Sequence, residues 1–133
     1  MKRIVISRKL SSKDFARRKL EQGHDVRLIS FYDGDMLCSS IYADFTDETI
    51  SVENHTDNFI KTAFGNNRNP TWKIFNDFLE DRCIPRARAG LREYLEAIGI
   101  DGYDPLEIIK KTAGHMAEDN QRLEIEVLKW PCN

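Results

Sequence analysis

The spacing of apolar positions changes several times along the 133-residue chain, and each change predicts an element. Arg3-Ile4-Val5-Ile6-Ser7 has a β-branched core with polar flanks and predicts a short strand. From Ser11 the period lengthens: Phe15, Ala16 and Leu20 recur at helical spacing, Ser11 and Asp14 are placed as a capping box, and Gly23 stands where a helix ends. That helix turns Lys13, Arg17 and Glu21 outward, with Arg18 and Lys19 at the borders of the buried stripe. From Asp25 the period falls to two. A strand over 26–32 ends at the hairpin dipeptide Asp33-Gly34, a second runs over 36–45, and Thr46-Asp47-Glu48 turns the chain into a half-buried strand over 49–53.

Gly65 to Pro70 is the best boundary in the chain, because glycine, asparagine and proline interrupt every periodic pattern there. Beyond it Thr71 caps a helix over 72–81, whose wide apolar face holds Trp72, Phe75, Phe78 and Leu79 with Ile74 beside them. Pro85 suits the first turn of a second helix, in which Ala87, Leu91, Leu95 and Ile98 recur until Gly99. Asp104-Pro105 opens a third, with Leu106, Ile109 and Ala113 inward and Gly114 at its close. Residues 122–127 alternate strictly and predict a strand that returns to a sheet. The class is therefore α+β: a small antiparallel sheet with one helix over 1–65, then a three-helix module with a C-terminal strand over 66–133, either as two subdomains or closed into one domain.

Composition supports a folded, soluble chain. Hydrophobic residues make up 41% and charged ones 32%, which excludes a disordered tail. No apolar run approaches the roughly 20 residues of a spanning helix, and the apolar core near the start is too short for a signal peptide, so the expected location is cytoplasmic and no membrane contact is expected. Cys38, Cys83 and Cys132 show no paired spacing and are read as reduced thiols. The net charge of −2 conceals a polarity: residues 1–27 carry nine Lys or Arg against three acids, whereas residues 28–81 carry three against ten. Such asymmetry marks a contact with nucleic acid or with an acidic protein, or is neutralised when the two segments meet in the fold.

Arg82, Arg86, Arg88 and Arg92 fall within eleven residues around Pro85. The order Phe78-Leu79, Arg82, Pro85, Arg88, then Leu95, Gly99, Gly114 and Asp119 resembles a helical module of small accessory proteins on bacterial mobile genetic elements, also found ahead of the kinase domain in some HipA-like proteins. The likeness covers about residues 71–127, and no phosphotransfer activity comes with it, because the kinase domain has no counterpart. The aromatic pair that follows the Asp119 position in the module is Gln121 and Arg122 here. Arg82 and Arg88 are expected to be internal clamps, their guanidinium groups reaching helix-end carbonyls and the Asp119 carboxylate across the Pro85 corner. Arg86 and Arg92, outside the pattern, are expected to face solvent and a partner.

Catalytic signatures are weak. His55 and Asp57 sit in a polar loop without a second ligand cluster, and His115 and Glu118 are three apart in a glycine-containing turn. His24 follows a helix-ending glycine, and Asp33-Gly34-Asp35 lacks the remaining ligands of a calcium loop. Cys83 beside Arg82 reads first as a small buried hydrophobe. No phosphate-binding, dinucleotide or esterase motif occurs, so neither enzyme chemistry nor a cofactor or metal is expected.

The leading expectation is a non-enzymatic binding protein, such as an anti-CRISPR inhibitor, that occupies a host defence nuclease with an acidic face of Asp33, Asp35, Asp44, Asp47 and Glu48. The alternative is a nucleic-acid-binding regulator that uses Lys13, Arg17 and Arg18, together with Arg86 and Arg92.

Overall fold

The protein was analysed as a computed structural model that describes residues 11–116 and 118–131. The strand expected at 3–7, the basic residues Lys2, Arg3, Arg8 and Lys9, and Cys132 lie outside the described residues. The fold is α+β: four helices and a four-stranded antiparallel sheet. Helix α1 (Ser12–Glu21) precedes β1 (Val26–Asp33), β2 (Met36–Asp44) and β3 (Thr49–Asn54). A 3-10 turn at Phe59–Lys61 leads to α2 (Trp72–Asp81), α3 (Leu91–Ala97), α4 (Pro105–Thr112) and β4 (Gln121–Val127).

Strand β4 joins the outer side of β1, giving the order β3-β2-β1-β4, with Ile29 opposite both Ile41 and Ile125. The β1–β2 ladder shifts register between Phe31 and Tyr32. The larger core cluster unites Ile29, Phe31, Ile41, Ala43 and Leu123 of the sheet with Phe75, Leu79, Ile108 and Ile109 of α2 and α4. A second cluster joins Ala16 and Leu20 of α1 to Val26 and Tyr42. Period-two alternation explains the split, since successive strand residues face opposite sides of the sheet. The 65–70 boundary is a loop before α2, and both the main core and the β1–β4 ladder draw residues from either side of it.

Local chemistry accounts for the element ends. Ser11 Oγ accepts from the Asp14 N–H, Thr71 Oγ1 from Ile74, and Asp104 Oδ1 from Leu106, so α1, α2 and α4 are each capped by a side chain expected to cap them. The second predicted helix needs correction: it starts at Leu91, not at Pro85. Gly90 adopts φ 79, a left-handed conformation, and residues 85–88 form a single turn closed by the Arg88 N–H on the Pro85 carbonyl. Ala87, expected inward, is consequently exposed. Among the described residues no helix is long and apolar enough to cross a membrane.

Candidate functional site

The arginine cluster divides into different roles. Arg82 is buried, and all five of its N–H groups have acceptors: Nε donates to the Gly114 carbonyl at 2.9 Å, and the two terminal nitrogens donate to the Asp119 carboxylate at 3.1 and 3.2 Å and to the Gln121 side chain and carbonyl at 3.1 and 3.2 Å. The Arg82 pair holds the Asp119 carboxyl below the usual carboxylate range against the opposing effect of burial. Gln121 is thus one of the clamp's acceptors. Its neighbour Arg122 stacks on Tyr32 at 4.0 Å and donates to the Gly34 carbonyl at 2.6 Å.

Arg88 is not a clamp. Its side chain is exposed and makes no hydrogen bond or ion pair among the described residues, and the Asp119 carboxylate is taken by Arg82. Pro85, also exposed, contributes its carbonyl to that turn. Arg86 is exposed, as expected, and also pairs with Glu80 and lies over the Tyr103 ring at 4.1 Å, while Tyr103 donates to the Ile84 carbonyl at 2.6 Å. Arg92 is exposed.

Arg88 opens into a cleft of about 260 Å³ at the junction of α2, α3 and α4, whose wall also includes Tyr94, Ile108, His115, Met116 and Glu118. Cys83 lines the same cleft, but burial, with Glu80 and Asp104 nearby, pushes its thiol up to about 12, and its Sγ lies 3.3 Å from the Leu79 carbonyl. It is an inert thiol at neutral pH.

The acidic face requires a larger correction. Asp44 is fully buried and does not reach solvent. Its carboxylate accepts from His24 Nδ1 at 2.7 Å and from the N–H groups of Thr46 and Asp47 at 2.9 and 3.1 Å. Burial raises its pKa, but these bonds outweigh that and hold the carboxyl below the usual range. Asp47 pairs with Lys19 at 2.7 Å and raises the lysine's pKa. Glu48 is exposed at φ 58 in the same turn. Asp33 and Asp35 lie at the opposite end of the hairpin, about 25 Å away by the rise of an antiparallel strand over eight residues. The five acids form two separate ends, and one of these is largely an internal lock between α1 and the β2–β3 turn.

No protein-family model, curated protein or solved structure matches the chain. The remaining functional signals must come from this geometry. The ligand atoms of His24, Asp44 and Asp47 lie within 4.8 Å of one another, a set that could hold a metal ion and that sequence spacing does not reveal. The Lys19 ammonium already stands 2.7 Å from Asp47 and 3.8 Å from Asp44 and supplies the positive charge there. His55 is held by Ser40, with Nε2 2.8 Å from Oγ, and Ser40 is buried, so this pair does not present its hydroxyl to a substrate. On α1, Lys13, Arg17 and Arg18 are exposed as expected, and Arg17 pairs with Asp14 at 3.1 Å.

One surface feature had no sequence signal beyond an apolar patch in a polar connector. Ile60 is 89% exposed and Phe59 50%, both in the 3-10 turn. That turn is held in place. Asn58 Oδ1 accepts from the Ile60 N–H, the Thr62 hydroxyl lies 2.9 Å from the Phe59 and Gly65 carbonyls, and the Ala63 N–H donates to Ser39 Oγ. Lys61 pairs with Asp33 at 3.5 Å, which brings the turn to the hairpin end, where Met36 is 48% exposed.

Proposed function

We propose that the protein is a non-enzymatic binding protein that occupies a basic protein surface, as an inhibitor of mobile-element origin would occupy the nucleic-acid channel of a defence nuclease. The observation that carries this reading is Ile60, a large apolar side chain displayed to water on a turn fixed by side-chain hydrogen bonds. Exposed apolar groups clustered on a rigid element favour protein contact, because the anchor is already ordered before it binds. Phe59 and Ile60 supply the apolar part on the turn and Met36 adds to it at the hairpin end, where Asp33 and Asp35 are the acids and Lys61 and Arg122 the cations. An apolar pocket bordered by lysine or arginine is the complementary partner surface. Of the acids expected to meet that partner, Asp33 and Asp35 keep the role and Asp44 does not.

The test is capture of a partner from a host lysate by wild type and by Ile60→Ser and Asp35→Lys variants, with and without nuclease. A protein retained by the wild type after nuclease treatment and lost in both variants supports the reading. Capture that survives Ile60→Ser overturns it.

A second reading, nucleic-acid binding by α1, is favoured by the exposure of Lys13, Arg17 and Arg18 on one helix. It expects affinity that falls linearly with log salt and is lost on reversing Arg17 and Arg18, whereas Ile60→Ser has no effect.

A further inference from the structure

The cleft beside Arg82 lies apart from the Ile60 surface and does not depend on that reading. Its floor and walls combine apolar groups with polar groups that lack partners. Ile108 is fully buried beneath it, and Met116, Pro85 and Ile84 add apolar surface. Arg88 has an exposed guanidinium, and His115 an imidazole and Tyr94 a hydroxyl, none with a side-chain hydrogen bond or ion pair among the described residues. Arg82, by contrast, is fully engaged with Asp119, Gly114 and Gln121, so it frames the cleft and leaves recognition to its neighbours. The frame is rigid where it matters: the Arg82 bond to the Gly114 carbonyl fixes the residue preceding His115, and the Thr112 hydroxyl accepts from the Gly114 N–H.

We infer that this cleft binds a small organic carboxylate, its apolar body against Ile84 and Met116 and its carboxylate on the Arg88 guanidinium. Three features select that class. A guanidinium with its donors free matches the two oxygens of a carboxylate in one plane. The apolar floor that Ile84, Pro85 and Met116 leave accessible favours a ligand with a hydrocarbon body over an inorganic anion such as phosphate, which offers nothing to bury there. The volume of about 260 Å³ suits a ligand of one ring or a short branched chain. Glu118 stands in the same wall and opposes the anion, so the site is tuned to moderate affinity.

The experiment is a titration of the 15N-labelled protein with sodium benzoate, followed by amide chemical shifts at constant ionic strength, with benzamide as the neutral isostere. Benzoate is expected to shift the amides of Cys83, Thr112 and His115 saturably, with benzamide binding about tenfold more weakly or less. Arg88→Gln, at an exposed side chain without partners, is expected to weaken benzoate about tenfold while leaving benzamide unchanged, and Glu118→Gln to tighten benzoate about twofold to threefold. A purely structural role for either side chain predicts neither the opposite signs nor the difference between the two probes. Equal binding of benzoate and benzamide, benzoate affinity unchanged in Arg88→Gln, or no saturable shift at the cleft overturns the assignment. Phosphate shifting the same amides as strongly as benzoate also overturns it, because the apolar floor would then contribute nothing.

Discussion

Arg82 and Asp119 are joined by two parallel hydrogen bonds of 3.1 and 3.2 Å, and this pair ties the end of α2 to the segment entering β4, 37 residues later in the chain. Because the guanidinium is buried and also serves Gly114 and Gln121, removing it leaves several acceptors unpaired at once. Arg82→Ala is expected to lower stability by about 2 to 3 kcal/mol, the cost of leaving the buried Gly114 carbonyl and the Gln121 acceptors unpaired while the partly exposed Asp119 carboxylate is rehydrated. Arg88→Ala, at an exposed side chain without a partner, is expected to stay within about 0.5 kcal/mol of wild type. Thermal or denaturant melts of the two variants decide this, and equal losses would return Arg88 to the clamp.

The His24–Asp44 bond predicts how the fold responds to acid. Asp44 titrates below the ordinary aspartate value of 3.8 in the folded protein, so it binds fewer protons there than in the unfolded chain. Its contribution is therefore complete above that ordinary value and is lost as the pH falls through the lower folded value. Asp44→Asn is expected to cost about 1 to 3 kcal/mol at neutral pH, since His24 and the turn N–H groups lose a charged acceptor. It should also flatten the stability profile below about pH 4. Denaturant midpoints measured between neutral and acidic pH check both; an unchanged acid slope in Asp44→Asn would count against the lock.

Two glycines at positive φ separate backbone strain from steric fit. At Gly90 (φ 79) an added Cβ meets nothing within 4 Å, so Gly90→Ala is expected to cost about 1 kcal/mol for the left-handed backbone alone. At Gly114 (φ 65) the added carbon would stand 3.4 Å from both Arg82 Cβ and Leu123 Cδ1, next to the carbonyl that Arg82 binds. That is tight but ordinary contact, so Gly114→Ala is expected to cost about 1 to 2 kcal/mol, the same backbone strain plus at most a small adjustment of the buried neighbours. Chemical denaturation of both variants gives the comparison.

Local chemistry was readable from the chain wherever it acts between close neighbours. The α2 bounds, the caps at Ser11, Thr71 and Asp104 and the Asp33-Gly34 turn rest on interactions spanning four residues or fewer, so the sequence determines them directly, and the strands show in it through their period of two. The start of α3 was misread for the same kind of reason: proline at a first helical turn and a left-handed glycine are both ordinary local signals, and Gly90 prevailed over Pro85.

Which charged residues face water could only be decided by tertiary structure. Asp44 and Glu48 are near neighbours in the sequence and equally acidic, yet Asp44 is sealed beneath His24 and Lys19 while Glu48 is exposed. Arg82 and Arg88 stand three residues to either side of Pro85, yet only Arg82 is buried against Asp119, while Arg88 lies in an exposed turn. The exposure of Ile60 likewise depends on Ser39 and Asp33, which lie more than twenty residues away in the chain and hold the turn against the hairpin. Charge and hydropathy are properties of single residues and can be read in order along the chain. Desolvation depends on what the fold places around a residue, so the partners at positions 24, 39 and 119 had to be brought together in space before the chemistry of Asp44, Ile60 and Arg82 was defined.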